Sequence, residues 1–462
     1  MTHVSPSLGF REPRLLLPRP GIDLRKWAVI ACDQHTAEPA YWQRVADEVG
    51  QAPSTLHLIY PEAFLGEADS ASRIAGIQRS MQRCLDEGLF VEHVGPVLVE
   101  RRTAGQPAYP GATRRGLMLE LDLECYDFRP ESTSLIRPTE GTIVSRLAPR
   151  IAVRSGATLE LPHVLVLIDD RERTVIEPLV AERAALRPLY DTELMLGGGH
   201  VAGHAVDSSH AQRAMQALRD LGDPAACARR YGLPEGTPPM LFAVGDGNHS
   251  LATAKALWQR IKADAGPDHP ARWALVEVEN IDDPALKFEP IHRMLLGVTG
   301  DLRGAIQEAF RGCGAAIVDC GSSARMRERL AEGAASPASP TATPSPGGSG
   351  ALRQAFGLIG PGAHFAVVEL AQPPEPLAVA SVQAFVDRLV EQGGAADVDY
   401  VHGDDVLERL AQQPGHVGLH IGTVGKSELL ERVMRGGPLP RKTFSMGEAD
   451  EKRFYVEARR IR

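Results

Sequence analysis

Residues Leu241 to Ile261 read LFAVGDGNHSLATAKALWQRI, and no other stretch constrains the fold as much. An apolar run of strand character stops at Gly245. A helical pattern follows almost at once, with Leu251, Ala254, Trp258 and Ile261 on one face. A strand that hands over directly to an amphipathic helix belongs to a layered structure, because the sheet face and the helix stripe must bury each other.

The junction itself, Asp246, Gly247, Asn248, His249 and Ser250, carries chemistry. Free backbone N–H groups at a helix start attract anions, and the helix dipole adds to this. Gly247 permits a positive φ or a close backbone approach. Ser250 or Asn248 is placed to cap the helix. Asp246 is suited to a metal ion or a substrate hydroxyl, and His249 to a phosphate or a proton transfer near neutral pH. The competing reading is a plain turn shaped by Asp246 and Asn248.

Elsewhere the pattern is mixed. KWAVIAC (Lys26 to Cys32), TLHLIYP, VGPVLVERR, HVLVLIDD, RWALVEVENI and HFAVVELA read as strands. RRGLMLELDLECYDF alternates Leu117, Leu119, Leu121 and Leu123 with Met118, Glu120, Asp122 and Glu124, the pattern of a half-buried strand. EPAYWQRVADEVG, SRIAGIQRSMQRCLDEG, VASVQAFVDRLVEQGG and DVLERLAQQPG read as helices. Interleaved strands and helices, with hairpin-like pairs among them, favour α+β or mixed α/β over a pure doubly wound sheet. Residues 334–350, AASPASPTATPSPGGSG, lack charge and large apolar groups and read as a linker or loop insertion. The expected regions are therefore 1–150, 151–333 with the junction, the linker, and 351–462.

Composition narrows the function. The 462 residues carry a formal net charge of −9 and only 5% aromatics, which speaks against a nucleic-acid footprint. The six cysteines include no C-x-x-C pair, so neither a zinc knuckle nor a disulfide framework is indicated. No signal pattern opens the chain, and no run approaches the ~18 apolar residues of a membrane span. A cytoplasmic protein acting on a small molecule, away from membranes and nucleic acid, is expected.

The chain resembles the DUF1015 family, from LLLPRPGIDLRKWAVIACDQHT through LPRKTFSMGEADEKRFYVEARRI. The resemblance includes IRPTEGTIVSRLAPRI, YDTELMLGGGHVAGH, FAVGDGNHSLATA and FEPIHRML. Typical members carry D-G-H-H-R where this chain has Asp246, Gly247, Asn248, His249 and Ser250. That motif is similar to the nucleotide-binding turn of the ParB/sulfiredoxin-like fold, which includes free-serine kinases. The resemblance implies a ParB/sulfiredoxin-like strand–turn–helix core with additional α/β segments, a nucleotide phosphate (ATP or ADP) with Mg²⁺, and a small amino or hydroxy acid such as serine. The chain departs at Asn248 and Ser250, losing a histidine and an arginine suited to clamping phosphate. Arg293, Lys255 or Arg146 is placed to resupply the charge.

Further candidates follow. In RPTEGTIVSR, Glu140 is a general base or metal ligand, and Arg137 and Arg146 phosphate contacts, against a solvated turn. Gly197, Gly198 and Gly199 form either an anion nest or a flexible loop. His200 and His204 have the spacing of two helix-borne metal ligands, but the glycines around them argue against a helix. After the first strand, Asp33 and His35 are candidates for substrate polar groups. HIGTVGKSELL is no P-loop, since His420 stands where the pattern needs glycine, so Lys426 and Ser427 begin a helix. Pro440 to Arg453 reads as a solvated basic face, with Arg441 and Lys442 as phosphate contacts in the alternative.

Three functions fit: small-metabolite phosphoryl transfer by a kinase or related phosphatase, with Asp246, His249 and Glu140 catalytic; a non-catalytic nucleotide-binding regulatory module; and a metal-dependent hydrolase. In the first, Gly247, Asn248, Ser250, Gly198, Gly199, Arg137, Arg146 and Arg293 bind the nucleotide, Asp33 and His35 the substrate, and Asp246 the metal.

Overall fold

The structure, a computed structural model, describes residues 9–103, 112–334, 353–375, 377–423, 425–447 and 451–462. Apart from Ala334, the expected linker lies outside the described residues. The architecture is mixed α/β. The chain divides into two units. One comprises Met1–Lys287, Lys426–Pro438 and Met446–Arg462; the other comprises Phe288–Gly425 and Leu439–Ser445.

The first unit is built on a nine-stranded sheet. Its path runs Ile136–Pro138, Phe242–Asp246, Leu165–Ile168, Trp273–Asn280, Thr113–Asp122, Val97–Arg102, His200–Ala205, Arg187–Glu193, with Phe10–Arg11 also pairing on Thr113–Asp122. Phe242–Asp246 runs parallel to Ile136–Pro138, and Trp273–Asn280 parallel to Leu165–Ile168. The other neighbours are antiparallel. The ladder slips between Val244 and Asp246, so Asp246 leaves the regular register as the strand ends.

Both faces of this sheet are covered. On one, Leu117, Leu119 and Leu121 pack with Trp258 and Leu251 of the helix Asn248–Ala265 and with Leu218 of the helix Ser208–Leu221. On the other, Met118 packs with Trp42 of the helix Pro39–Val49 and with Phe454 and Tyr455 near the C-terminus. The half-buried strand expected over 114–128 runs over Thr113–Asp122 and is buried on both sides. Glu120 and Asp122 lie inside at 0% exposure, each met by arginine: Arg11 for Glu120, Arg272 for Asp122. Unpaired, such charges would be excluded from an interior.

Two expected strands take another form. In KWAVIAC, Asp23 caps a short helix, Leu24–Trp27, and only Ile30 forms a bridge, to Phe454. In TLHLIYP, the Ser54 hydroxyl accepts the Leu56 N–H and starts a 3₁₀ turn over Thr55–Leu58. A local cap outweighs the β preference of so short a run. The helix beginning at Lys426 is present, over Lys426–Gly436.

The main path of the second unit's seven-stranded sheet runs Ala315–Asp319, His364–Leu370, Gln354–Gly360, Val417–His420, Phe288–Leu296, Asp397–His402. Ile306, Phe310, Val382 and Phe385 cover one face, and Met326, Leu407 and Ala411 the other. Among the described residues, no helix is long and apolar enough to cross a membrane.

Candidate functional site

The strand Phe242–Asp246 enters the helix Asn248–Ala265 through Gly247, at φ 76°. A side chain there would be strained by that angle, and its Cβ would stand 3.0 Å from the Val164 Cα. Gly247 is also the helix cap. No side chain caps this end, contrary to the role expected of Ser250 or Asn248. The reason is a better partner: the Ser250 hydroxyl lies 2.7 Å from His163 Nε2. The N–H groups of Ser250 and Leu251 instead turn back to the Gly247 carbonyl.

His163 is the hub of what surrounds Ser250. Its Nδ1 lies 2.8 Å from the Tyr455 hydroxyl, which also accepts the Cys32 N–H at 3.1 Å. Asp33 Oδ2 stands 3.7 Å from His163 Nε2. Burial pushes the Tyr455 phenol well above its ordinary range, so it stays protonated. Burial likewise raises the Cys32 thiol far beyond neutrality, which removes it as a nucleophile. Asp246 accepts the Gly247 N–H at 2.8 Å and the Lys452 ammonium at 2.9 Å. Burial would raise its pKa, but the Lys452 charge and hydrogen bond outweigh this and hold it low.

Ser250, Thr253, His163, Tyr455 and Cys32 border a cavity of about 150 Å³. Glu62 and Arg150 lie on its wall as an ion pair. Burial, assisted by nearby Asp33, raises the Glu62 pKa against the pull of Arg150. A half-buried carboxyl beside a cavity is a candidate to take and return a proton.

The other expected site residues are placed as follows. Asp33 joins the His163 group, whereas His35 stacks on Tyr41 at 3.6 Å and pairs with Glu38. His249 is half-buried and accepts the Ile143 N–H at 3.3 Å. Asn248 is half-buried, and its Oδ1 has no hydrogen-bond partner among the described residues. Glu140 is half-buried and engaged, in the segment before His249's partner Ile143. Arg137 is buried and donates to the carbonyls of Ser134 and Pro238, while Arg146 is exposed. Lys255 donates to the Leu123 carbonyl. Arg293 is fully buried in the second unit, donating to Gln383 and to the carbonyls of Ile291 and Lys442. Gly198 and Gly199 make the turn between the strands Arg187–Glu193 and His200–Ala205, where Gly199 accepts the Leu194 N–H. His200 and His204 lie on that second strand rather than on a helix.

Sequence reasoning did not single out His163, Tyr455, Glu62 or Arg150, and it put Lys452 on a solvated face. Lys452 and Arg453 are instead buried, Arg453 pairing with Glu277 and Glu457. The available signal was the spacing of basic residues around an apolar core in PRKTFSMGEADEKR, which also suits a segment that folds inward.

Metal chemistry points elsewhere in the molecule. Among the described residues, His292, Asp404 and His420 in the second unit are grouped closely enough to converge on one ion. The Ile421 N–H, however, donates into His292 Nδ1 at 3.1 Å. His292 Nε2 then carries the ring proton and donates it to Asp404 at 3.0 Å. In that tautomer it offers no lone pair to a cation. Among the described residues Asp246 belongs to no such group, and its charge is already compensated by Lys452.

A family model described as "Protein of unknown function (DUF1015)" matches residues 16–389. No curated protein matches the chain. Among solved structures, a conserved hypothetical protein from Pyrococcus furiosus is 13% identical, over 73% of this chain and 90% of that one, with a TM-score of 0.33. A free serine kinase in complex with AMP is 13% identical, over 71% of this chain and 86% of that one, with a TM-score of 0.34. SbnI with a C-terminal truncation, from Staphylococcus aureus, is 11% identical, over 74% and 81%, with a TM-score of 0.31.

Proposed function

We propose that this chain, which belongs to the DUF1015 family, transfers a phosphoryl group between a nucleotide and a small hydroxyl-bearing metabolite. The observation that carries this is Ser250: at the start of a helix, 2.7 Å from His163, with a cavity in front of it and an upward-tuned Glu62 on the cavity wall. The strand–turn–helix around it is read as a ParB/sulfiredoxin-like core. Nucleotide is the donor class that the resemblance of its turn implies.

The positive end of the helix dipole, the Ser250 hydroxyl and Lys452 receive phosphate oxygens. His163, held by Tyr455 and Asp33, orients the Ser250 hydroxyl. The acceptor oxygen bonds to phosphorus as the phosphorus–oxygen bond to the nucleotide breaks. The nucleotide leaves with that electron pair, and Glu62 takes the acceptor proton. Mg²⁺ supplies charge neutralisation to nucleotide phosphates. Asp246 does not fit as its protein ligand while Lys452 holds Oδ2. Asp33 remains the substrate contact in this reading, and His249 supports the loop at Ile143.

The test is ³¹P NMR with ATP or ADP and a panel of hydroxyl-bearing acceptors, hydroxy acids such as serine and neutral alcohols both included. A phosphomonoester is expected from the native protein. Glu62→Gln is expected to cut kcat by roughly 10²- to 10⁴-fold while leaving ADP affinity unchanged. No phosphomonoester from any donor–acceptor pair contradicts the proposal. Nucleotide binding without turnover favours a regulatory module, a reading helped by the neutralisation of Asp246 by Lys452.

A further inference from the structure

The cavity in front of Ser250 says more about the acceptor than the turn does. Apart from its polar side chains, its wall is largely aliphatic, with Leu58, Ile59, Leu65, Met81, Val153 and Leu161 contributing. Its charged side chains are taken in pairs. Glu62 is held by Arg150, and Glu160 by Arg154 and Arg459. A second ionised group entering here would lose its water and meet charges already committed to each other. An apolar cavity of about 150 Å³ is enough to hold a molecule the size of benzene, and this one has that volume.

Resting on the phosphoryl-transfer reading above, we infer that the acceptor is a small amphiphilic alcohol. Its apolar body, of about benzene size, fills the aliphatic part of the cavity, and its hydroxyl lies at the Ser250–Glu62 end. A compact polar acceptor such as serine leaves that aliphatic wall uncovered. Each buried methylene is worth about 0.8 kcal/mol, roughly fourfold in affinity, so preference climbs with chain length until the volume is filled.

The experiment uses the full chain with ¹³C-methyl methionine and follows the Met81 methyl by NMR. Benzyl alcohol at millimolar concentration is expected to shift that resonance saturably, and serine to leave it in place. With ATP or ADP present, benzyl alcohol and 4-methylpentan-1-ol are expected to be phosphorylated with kcat/KM at least tenfold above serine. Val153→Phe narrows the cavity and is expected to weaken the benzyl alcohol shift at least tenfold. Leu65→Phe, at another half-buried wall position, serves the same end if the first variant does not fold. A Met81 methyl unmoved by benzyl alcohol, or moved as far by serine, overturns the inference, as does full affinity in a folded Phe variant. Preferred transfer to serine overturns it while leaving phosphoryl transfer standing. A saturable Met81 shift without transfer to any acceptor does the reverse: it contradicts the phosphoryl-transfer reading and supports the cavity assignment.

Discussion

Both units of the protein bury basic side chains, and the partners differ: Arg137 of the first unit ends on carbonyls as Arg293 of the second does, but others of the first unit meet carboxylates. In the first unit, Lys452 meets Asp246, Arg453 meets Glu277 and Glu457, and Arg114 meets Glu279 at 2.7 Å. In the second, Arg293 meets backbone carbonyls and an amide, and lies 4.9 Å from the centre of the Tyr400 ring. His292 and His420 there share one oxygen of Asp404, each at 3.0 Å. A cation whose donors all end on carbonyls closes its own fold. In the proposed function, a cation on a carboxylate at the end of a strand, where a helix begins, is the one that meets phosphate. Burial alone does not mark a site; the partner does.

The comparison breaks first, if it breaks, at Arg453. Arg453→Leu strands Glu277 and Glu457 inside the protein, and urea unfolding should show a loss of about 3–5 kcal/mol. A loss below about 1 kcal/mol would mean the two carboxylates protonate or find water at little cost. Lys452→Met should next weaken ADP binding by roughly 1.5–3 kcal/mol, the worth of a hydrogen bond to a charged group, as read by titration calorimetry. Arg293→Leu leaves its carbonyl partners unsatisfied and should cost about 1–3 kcal/mol of stability with ADP affinity untouched. An altered ADP affinity there would erase the distinction between the two cations.

A pH dependence sharpens the account of the first unit. Burial, with Asp283 and Asp246 nearby, pushes Glu279 from its ordinary 4.5 up to about 7 against the pull of Arg114. Between those values the native protein holds a proton that the unfolded chain has released. Stability should therefore fall as pH rises from about 4.5 to about 7, by roughly 3 kcal/mol. Glu279→Gln should flatten that part of the pH profile; an unchanged profile would remove Glu279 as its source.

How far the sequence could be read follows the range of the interactions. Local patterns sufficed for the helices Pro39–Val49, Ser70–Asp86 and Asn248–Ala265 and for the strand–turn–helix, since period and glycine placement act within a few residues. The site's partners are distant. Ser250 is 87 positions from His163, and His163 is 292 from Tyr455. A lone histidine in LPHVLVL and a lone tyrosine in RFYVEA carry no local mark of that meeting. Glu62 followed an apolar run that looked like a strand and is a capped 3₁₀ turn. The alternation in 113–122 gave the strand but not the burial of its second face, which depends on Arg11 and Arg272 arriving from far along the chain.

The most direct measurement is the affinity for ADP of the native chain and of Ser250→Asp. An acidic side chain in the first turn suits the helix dipole, so the melting temperature should hold or rise. The same charge would sit where phosphate is placed, and affinity should drop at least tenfold. Equal affinity in both proteins, or no ADP binding by the native one, would contradict a phosphate site at the start of this helix.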